Sequence, residues 1–177
     1  MLRVTEIIRL NGLIDASWSG DFAMRRGTAI HQATALDDLG DLDESSVDPE
    51  VAPYLASWRT WKAQTRIEFE AIELPVEHEA MGYRGTLDRI MLLAGLGRAV
   101  VDLKTGQPAA WHSIQLALYA MAWAAQRGAA TPRRMAIYLS AEGRAPAIAE
   151  YSDRCDFDRA KALVTVAHMK TELGITT

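Results

Sequence analysis

Two neighbouring segments of the chain place charged residues inside runs that alternate between polar and apolar residues. One segment contains Asp88, and the next contains Asp102 and Lys104, which are two residues apart. Because successive strand residues point to opposite faces of a sheet, Asp102 and Lys104 share one face and the apolar Val101 and Leu103 share the other. If the two segments pair as a β-hairpin, three charged side chains meet at one place.

These residue types predict a divalent-metal site. A charge in a half-buried strand persists only when it is paired, because desolvating an unpaired charge is costly, so two adjacent carboxylates call for a cation. Mg²⁺ prefers carboxylate oxygens, water and substrate phosphate, and Asp88, Asp102 and the backbone carbonyl of Leu103 can supply the protein's share. Lys104 is then expected to hold or activate an attacking water and to offset charge on a scissile phosphate.

Apolar spacing and turn residues predict the elements that must position this site. Helices are expected over residues 4–10, 21–39, 51–66, 111–127 and 156–173. Strands are expected over residues 69–77, 83–93, 98–104, 133–140 and 145–151, the first three forming a meander. The acidic run 37–50 is expected to be a solvated loop, ending in a helix that starts at Asp48 with Pro49 at its first position.

This order of elements indicates an α/β fold of the α+β kind, with a mixed central sheet flanked by helices. The helix over 111–127 must cover one face of the sheet, and the amino-terminal helices can cover another. The length of 177 residues suits one compact core, so residues 1–177 are expected to form a single domain.

The charge balance argues against a protein that coats nucleic acid with a uniformly basic surface. The net charge is −4, so any contact with DNA must be local. Arginine outnumbers lysine by 15 to 4, and arginine can clamp a phosphate with two parallel hydrogen bonds. One helix face, formed by Arg59, Lys62 and Arg66, is expected to be able to approach phosphate.

The single cysteine, Cys155, excludes an internal disulfide and any zinc or iron–sulfur site built from several thiolates of this chain. We therefore expect a reducing, cytoplasmic setting and no iron–sulfur cluster. The first 15 residues lack the pattern of a secretory leader, and no apolar stretch is long enough to span a bilayer. A soluble protein without a membrane partner is expected.

The motifs together resemble the PD-(D/E)xK nuclease superfamily, and within it the RecB-like and phage-type exonucleases. The resemblance consists of Gly-x-x-Asp at 85–88, Asp-x-Lys-Thr-Gly at 102–106, Gln-x-x-x-Tyr at 115–119 and an upstream Gly-Thr-x-x-His at 27–31. Asp-x-Lys alone is common on solvated strands, whereas the order and spacing of all four motifs are specific. The resemblance implies a restriction-endonuclease-like core and a single nuclease domain.

The resemblance also assigns roles outside the two strands. The family's amino-terminal histidine resembles a metal ligand, and His31 matches it here. Gln115 and Tyr119 are four residues apart on one helix, so they share a face that can look back at the strands. The resemblance implies that they organise the active site or contact DNA, although both could instead simply pack between helix and sheet.

One position of the family pattern has more than one candidate in this chain, and another position departs from the pattern. A glutamate upstream of Gly-x-x-Asp is common in the family, and Glu73 matches it, with Glu77 and Glu79 as competitors. Leu87 stands where the superfamily name has proline, as is common in the RecB-like branch. The iron–sulfur subtype of that branch needs four cysteines, so this chain departs from it.

The expected activity is hydrolysis of DNA phosphodiester bonds by an exonuclease that uses Mg²⁺ or Mn²⁺, in recombination, repair or phage DNA processing. Candidate DNA contacts near the motifs are Arg25, Arg26, Arg84 and Arg89, each of which could instead be an ordinary surface residue. Because no helicase motif is present, unwinding would require a helicase or recombination partner. The alternatives are an inactive DNA-binding or assembly module and a metal-dependent enzyme acting on RNA or a nucleotide. Polarity, strand preference and oligomeric state stay open.

Overall fold

A computed structural model of the protein describes residues 1–14 and 21–175. Five helices are seen in these ranges: α1 Val4–Leu10, α2 Asp21–Leu39, α3 Ala52–Gln64, α4 Trp111–Arg127 and α5 Cys155–Glu172. The strands of the same ranges are β1 Leu2–Arg3, β2 Ile67–His78, β3 Tyr83–Leu93, β4 Gly97–Lys104, β5 Arg133–Tyr138 and β6 Ala147–Glu150. No helix in the described part of the chain is long and apolar enough to cross a bilayer.

The six strands form one mixed sheet centred on β3 and β4. Strands β2, β3 and β4 are an antiparallel meander, β5 adds to β4 in parallel through the α4 crossover, and β6 pairs antiparallel with β5. Strand β2 occupies one edge of β3 along its whole length. The two-residue strand β1 must therefore share the other edge with β4, and it pairs in parallel with Tyr83 and Arg84.

Helices cover both faces of this sheet, which confirms the predicted fold class. On one face the buried residues of α1, α4 and α5, such as Ile7, Leu118 and Val164, form one core with the sheet. On the other face, Ile30 of α2 and Trp58 of α3 pack against a second core that includes strand residues of β3, β4 and β5. The site is built between these two layers.

The predicted helix start at Asp48 is wrong. Asp48 opens a turn instead: its Oδ1 accepts a hydrogen bond from the Glu50 N–H at 2.8 Å, and α3 begins only at Ala52. Proline does occupy the first turn of α3, but it is Pro53 rather than Pro49. The Asp48 side chain therefore stabilises a turn that precedes the helix.

Arg59 and Lys62, two of the three residues of the basic face that was expected to be able to approach phosphate, are paired inside the protein, whereas Arg66 lies beyond the end of α3 and is exposed. Lys62 Nζ lies 2.6 Å from both Asp37 and Asp38, and Arg59 pairs with Asp37 at 2.5 Å and also with Glu44. The start of the acidic run is thus not a solvated loop, because Asp37 and Asp38 belong to the last turn of α2 and dock it onto α3. These opposite charges neutralise each other between two helices.

Candidate metal centre

The site lies where strands β3 and β4 separate. Their pairing ends at Arg89 and Val101, so Asp88 and Asp102 are the next residues on the two diverging strands. The Leu103 N–H faces the gap and donates a hydrogen bond to Asp88 Oδ2 at 2.7 Å. Both carboxylates are buried. The Asp88 carboxylate gives the Leu103 N–H the hydrogen-bond acceptor that the β3 backbone no longer supplies once the strands separate.

A group of three side chains around Asp88 could hold a metal ion. His31, Glu73 and Asp88 each offer a ligand atom, and these atoms lie within 4.8 Å of one another. His31 Nδ1 is 3.3 Å from Asp88 Oδ2. Glu73 lies on β2 between Ile72 and Leu74, opposite Asp88 of β3. Its φ of 49° is a backbone conformation that residues other than glycine rarely adopt. An imidazole with two carboxylates suits a divalent ion.

Asp102 lies outside this group and is held by Lys104. Lys104 Nζ is 2.5 Å from Asp102 Oδ2 and donates a hydrogen bond to Gln115 Oε1 at 2.6 Å. Among the described residues, no donor meets Asp102 Oδ2 with hydrogen-bond geometry. The assignment of Asp102 as a direct metal ligand therefore stays a prediction. The assignment of the Leu103 carbonyl as a ligand also stays a prediction, because the contact that Leu103 makes with Asp88 is through its N–H.

Proton affinities in the centre reflect crowding of negative charge. Burial lowers the pKa of His31, but the carboxylates of Asp88, Asp102 and Glu73 outweigh burial and raise that pKa to about 9. Burial raises the pKa of Asp102, and the neighbouring Asp88 carboxylate adds to this against the opposing effect of Lys104. The Arg89 guanidinium, 3.2 Å from Glu73, and Lys104 Nζ, 2.5 Å from Asp102, place positive charge against these carboxylates.

The long helix α4 approaches the gap directly. Gln115 and Tyr119 are both buried on the face of α4 that looks at the sheet. A Cβ atom at Gly85 would lie 2.7 Å from Tyr119 Cε1, so the glycine lets the tyrosine ring rest against β3. Burial raises the pKa of Tyr119, and the carboxylates of Asp102 and Asp88 raise it further. Both predicted helix residues thus lie beside the carboxylates.

The four arginines proposed as DNA contacts lie in different surroundings. Arg89 is fully buried, so its prediction as a phosphate contact is wrong, since its guanidinium is used inside the protein. Arg26 is half-buried, 5.8 Å from the ring of Phe22 and 5.7 Å from that of Tyr54. Arg25 and Arg84 are exposed and stay available for phosphate.

Two open grooves are lined by residues of the candidate site. One, of about 590 Å³, contains both a predicted ligand and the predicted catalytic lysine, and its lining includes His31, Lys104, Gly106, Trp111 and His112. The other, of about 670 Å³, is lined by Tyr119 together with polar residues that include Arg3, Arg84, Thr86 and Gln126. The side of the centre that carries His31 and Lys104 is therefore open to solvent.

His112 forms a buried polar contact that sequence reasoning left without a role. Its Nδ1 lies 2.7 Å from the Tyr138 hydroxyl, which in turn lies 2.9 Å from the Tyr151 hydroxyl. Burial and the nearby Lys104 ammonium lower the pKa of His112 from its ordinary 6.5 to about 4. Between these two values the unfolded chain binds a proton that the folded protein does not, so stability falls as the pH is lowered through that window.

Replacing His112 with asparagine is expected to remove this pH dependence. The wild type should lose about 2 kcal/mol more unfolding free energy than His112→Asn between about pH 7 and about pH 5. Asparagine keeps a polar group near Tyr138 but does not titrate. Urea unfolding of both proteins at the two pH values measures the difference, and equal losses would contradict a neutral buried histidine.

Comparison with known proteins bears on what this site is for. No curated protein matches the chain in sequence. A structure from Eubacterium rectale, provisionally described as an exonuclease, shares the fold at 9% identity, with a TM-score of 0.60 over 99% of this chain and 82% of the other. The crystal structure of SSO0001 aligns at 16% identity over 95% of this chain and 75% of the other, with a TM-score of 0.47.

A family model matches nearly the whole chain and includes every residue of the candidate centre. The match runs from residue 8 to residue 170 and carries the description "PD-(D/E)XK nuclease superfamily". Its match contains the separated strands with Asp88, Asp102 and Lys104, and the helix with His31. The chain belongs to the PD-(D/E)XK nuclease superfamily.

Proposed function

We propose that residues 1–177 are a single nuclease domain that hydrolyses DNA phosphodiester bonds with Mg²⁺ or Mn²⁺, as an exonuclease of the RecB-like or phage-type branch. The observation that carries the proposal is the juxtaposition at the gap between β3 and β4. The group of His31, Glu73 and Asp88 lies there and offers a site for a cation. Beside it, Asp102 pairs with Lys104 and positions the lysine ammonium.

The donor set fits a divalent ion. His31, Glu73 and Asp88 would hold it, and the neighbouring Asp102 carboxylate, which is paired with Lys104 through Oδ2, could accept a hydrogen bond from a ligand water. When bound, the ion would polarise the scissile phosphate and lower the pKa of a bound water. Its positive charge would also oppose the burial and the neighbouring Asp88 carboxylate, which raise the pKa of Asp102.

The remaining chemistry falls to this chain's own side chains. Lys104 Nζ is held between Asp102 and Gln115, and Trp111 lies beneath it with its ring centroid 5.1 Å away. A fixed ammonium at this point can orient the attacking water and stabilise negative charge that develops on the phosphate. Asp102 keeps Lys104 in place, and it can accept a proton from the water.

The proposed substrate is DNA, approaching through the groove that Tyr119 lines. Arg84 is exposed in that groove and Arg25 is exposed on α2, the helix that carries His31, so both can contact phosphates. Exonuclease action and any helicase or recombination partner are proposed on the family resemblance, and the cytoplasmic setting is proposed on the single cysteine. The negative net charge supports a short contact rather than a long basic track.

The proposal is tested by digesting end-labelled linear DNA, covalently closed circular DNA and linear RNA of matched sequence. With Mn²⁺ or Mg²⁺ the linear DNA should be degraded and the circle left intact, and EDTA should stop the reaction. Cleavage that survives EDTA would contradict metal dependence. If RNA is degraded while DNA stays intact, the proposal that DNA is the substrate is wrong. If no substrate is cleaved and calorimetry detects no Mn²⁺ binding, the protein is an inactive module.

A further inference from the structure

Arg89 is the largest charged side chain enclosed by the second core, and it contacts the candidate centre without reaching solvent. Its exposed fraction is 0%. Its Nη1 donates hydrogen bonds to the Asp88 carbonyl oxygen at 2.7 Å and to Glu73 Oε1 at 3.2 Å. One guanidinium nitrogen thus fixes the backbone of one candidate ligand and the carboxylate of another.

The same guanidinium also ties down the helix that carries the third ligand. Arg89 Nη2 donates to Thr34 Oγ1 at 3.3 Å, and the Thr34 hydroxyl donates to the His31 carbonyl oxygen at 2.9 Å. Arg89 Nε donates to Asp38 Oδ2 at 2.7 Å. His31, Thr34 and Asp38 are spaced by three and seven residues, so they share one face of α2.

Asp38 is itself rigidly held, which makes it a firm anchor. Its Oδ1 accepts hydrogen bonds from Trp58 Nε1 at 2.8 Å and from Lys62 Nζ at 2.6 Å, and its side chain is fully buried. A planar guanidinium with five donors can serve several acceptors at fixed angles, whereas a lysine ammonium cannot reproduce that fork. Such a shell locks the rotamers on which ligand geometry depends.

We propose that Arg89 is a positioning residue that pre-organises His31, Glu73 and Asp88 for a divalent ion by joining all three to one buried guanidinium. The inference rests on the proposed metal centre. Because each ligand is tied to the same group, removing that group should loosen all of them together. Metal affinity should then fall more than the loss of a single hydrogen bond would cause.

The chain contains a matched control for this test. Arg134 is also buried, pairs with the buried Asp156 at 3.0 Å, and donates to the Asp153 carbonyl at 2.6 Å. It therefore resembles Arg89 in burial, charge pairing and backbone contacts. Within the described part of the chain, its hydrogen bonds and ion pair go to Ser113, Asp153 and Asp156 and not to His31, Glu73 or Asp88. Replacing it therefore removes a buried ion pair of the fold and leaves those ligands in place.

The experiment measures calorimetric Mn²⁺ affinity and thermal unfolding of the wild type and of Arg89→Lys, Arg89→Met, Arg134→Lys and Arg134→Met. All four variants should unfold at a lower temperature than the wild type. Only the Arg89 variants should bind Mn²⁺ more weakly, by about 10-fold to 100-fold in Arg89→Met and by less in Arg89→Lys. Titrations are made well below each melting temperature, so that the folded fraction is equal.

The outcomes separate this inference from the metal site itself. A wild type that does not bind Mn²⁺ would overturn the proposed centre. A wild type that binds, with Arg89→Met binding equally well or Arg134→Met weakened as much, would overturn only the role of Arg89. If Arg89→Met does not fold, Thr34→Val takes its place: a several-fold loss of Mn²⁺ affinity supports the inference, and wild-type affinity overturns it.

Discussion

Replacing Lys104 with methionine is expected to lower the rate of DNA hydrolysis by about 10³-fold while leaving Mn²⁺ affinity within a few-fold of wild type. Lys104 lies outside the His31, Glu73 and Asp88 group, and its ammonium is aimed by Asp102 and Gln115. Methionine has a similar length and keeps the packing against Trp111, but it cannot donate to a water or offset charge on phosphate.

Single-turnover cleavage of linear DNA at saturating Mn²⁺ measures this effect, with calorimetry for the metal. Lys161→Met is the control, because Lys161 is exposed on α5 and pairs only with the exposed Asp158 among the described residues. The control should cleave at the wild-type rate. A Lys104→Met protein that cleaves as fast as wild type would remove Lys104 from the chemistry, and parallel loss of Mn²⁺ binding would contradict the separation of ligand group and ammonium.

Replacing Asp88 with asparagine is expected to weaken Mn²⁺ binding by at least about 100-fold and to lower cleavage by about 10³-fold. Asp88 is the proposed ligand at the centre of the group, 3.3 Å from His31 and opposite Glu73. An asparagine oxygen can still accept the Leu103 N–H, so the separated strands should keep their arrangement. The variant removes the ligand charge and leaves its local hydrogen bond.

Thermal unfolding with and without Mn²⁺ gives a readout independent of activity. A bound ion stabilises the folded state by about 2.7 kcal/mol when its concentration is one hundred times the dissociation constant. The wild type should show this increase, Asp88→Asn should not, and the exposed-site control Asp158→Asn should match the wild type. Equal Mn²⁺ stabilisation of Asp88→Asn and wild type would exclude Asp88 as a ligand.

Local pattern was enough for much of the fold. The predicted bounds of α1, α2 and α4 agree with the structure, because apolar spacing and end signals such as Gly128 act within a few residues. The three-stranded meander is confirmed for the same reason. The face shared by Asp102 and Lys104 is also as predicted, since strand alternation requires no knowledge of the neighbouring strands.

Contacts between distant elements decided the rest. The two-residue strand β1 is too short to carry a pattern and forms only because the edge of β3 is free beyond β4. The acidic residues Asp37 and Asp38 look solvated in sequence, yet α3 brings Lys62 against them. Charge pairs of this kind depend on how two helices pack, which the order of residues along one helix does not reveal.

The candidate centre shows the same division between sequence and tertiary structure. The sequence by itself determined that two carboxylates and a lysine lie on neighbouring strands, and the motifs pointed to His31, Gln115 and Tyr119. Only the tertiary structure decided that Glu73 stands with His31 and Asp88, and that Asp102 turns to Lys104. It also showed that Arg89, one residue beyond Asp88, points inward, because a guanidinium can be buried only where acceptors from several elements converge on it.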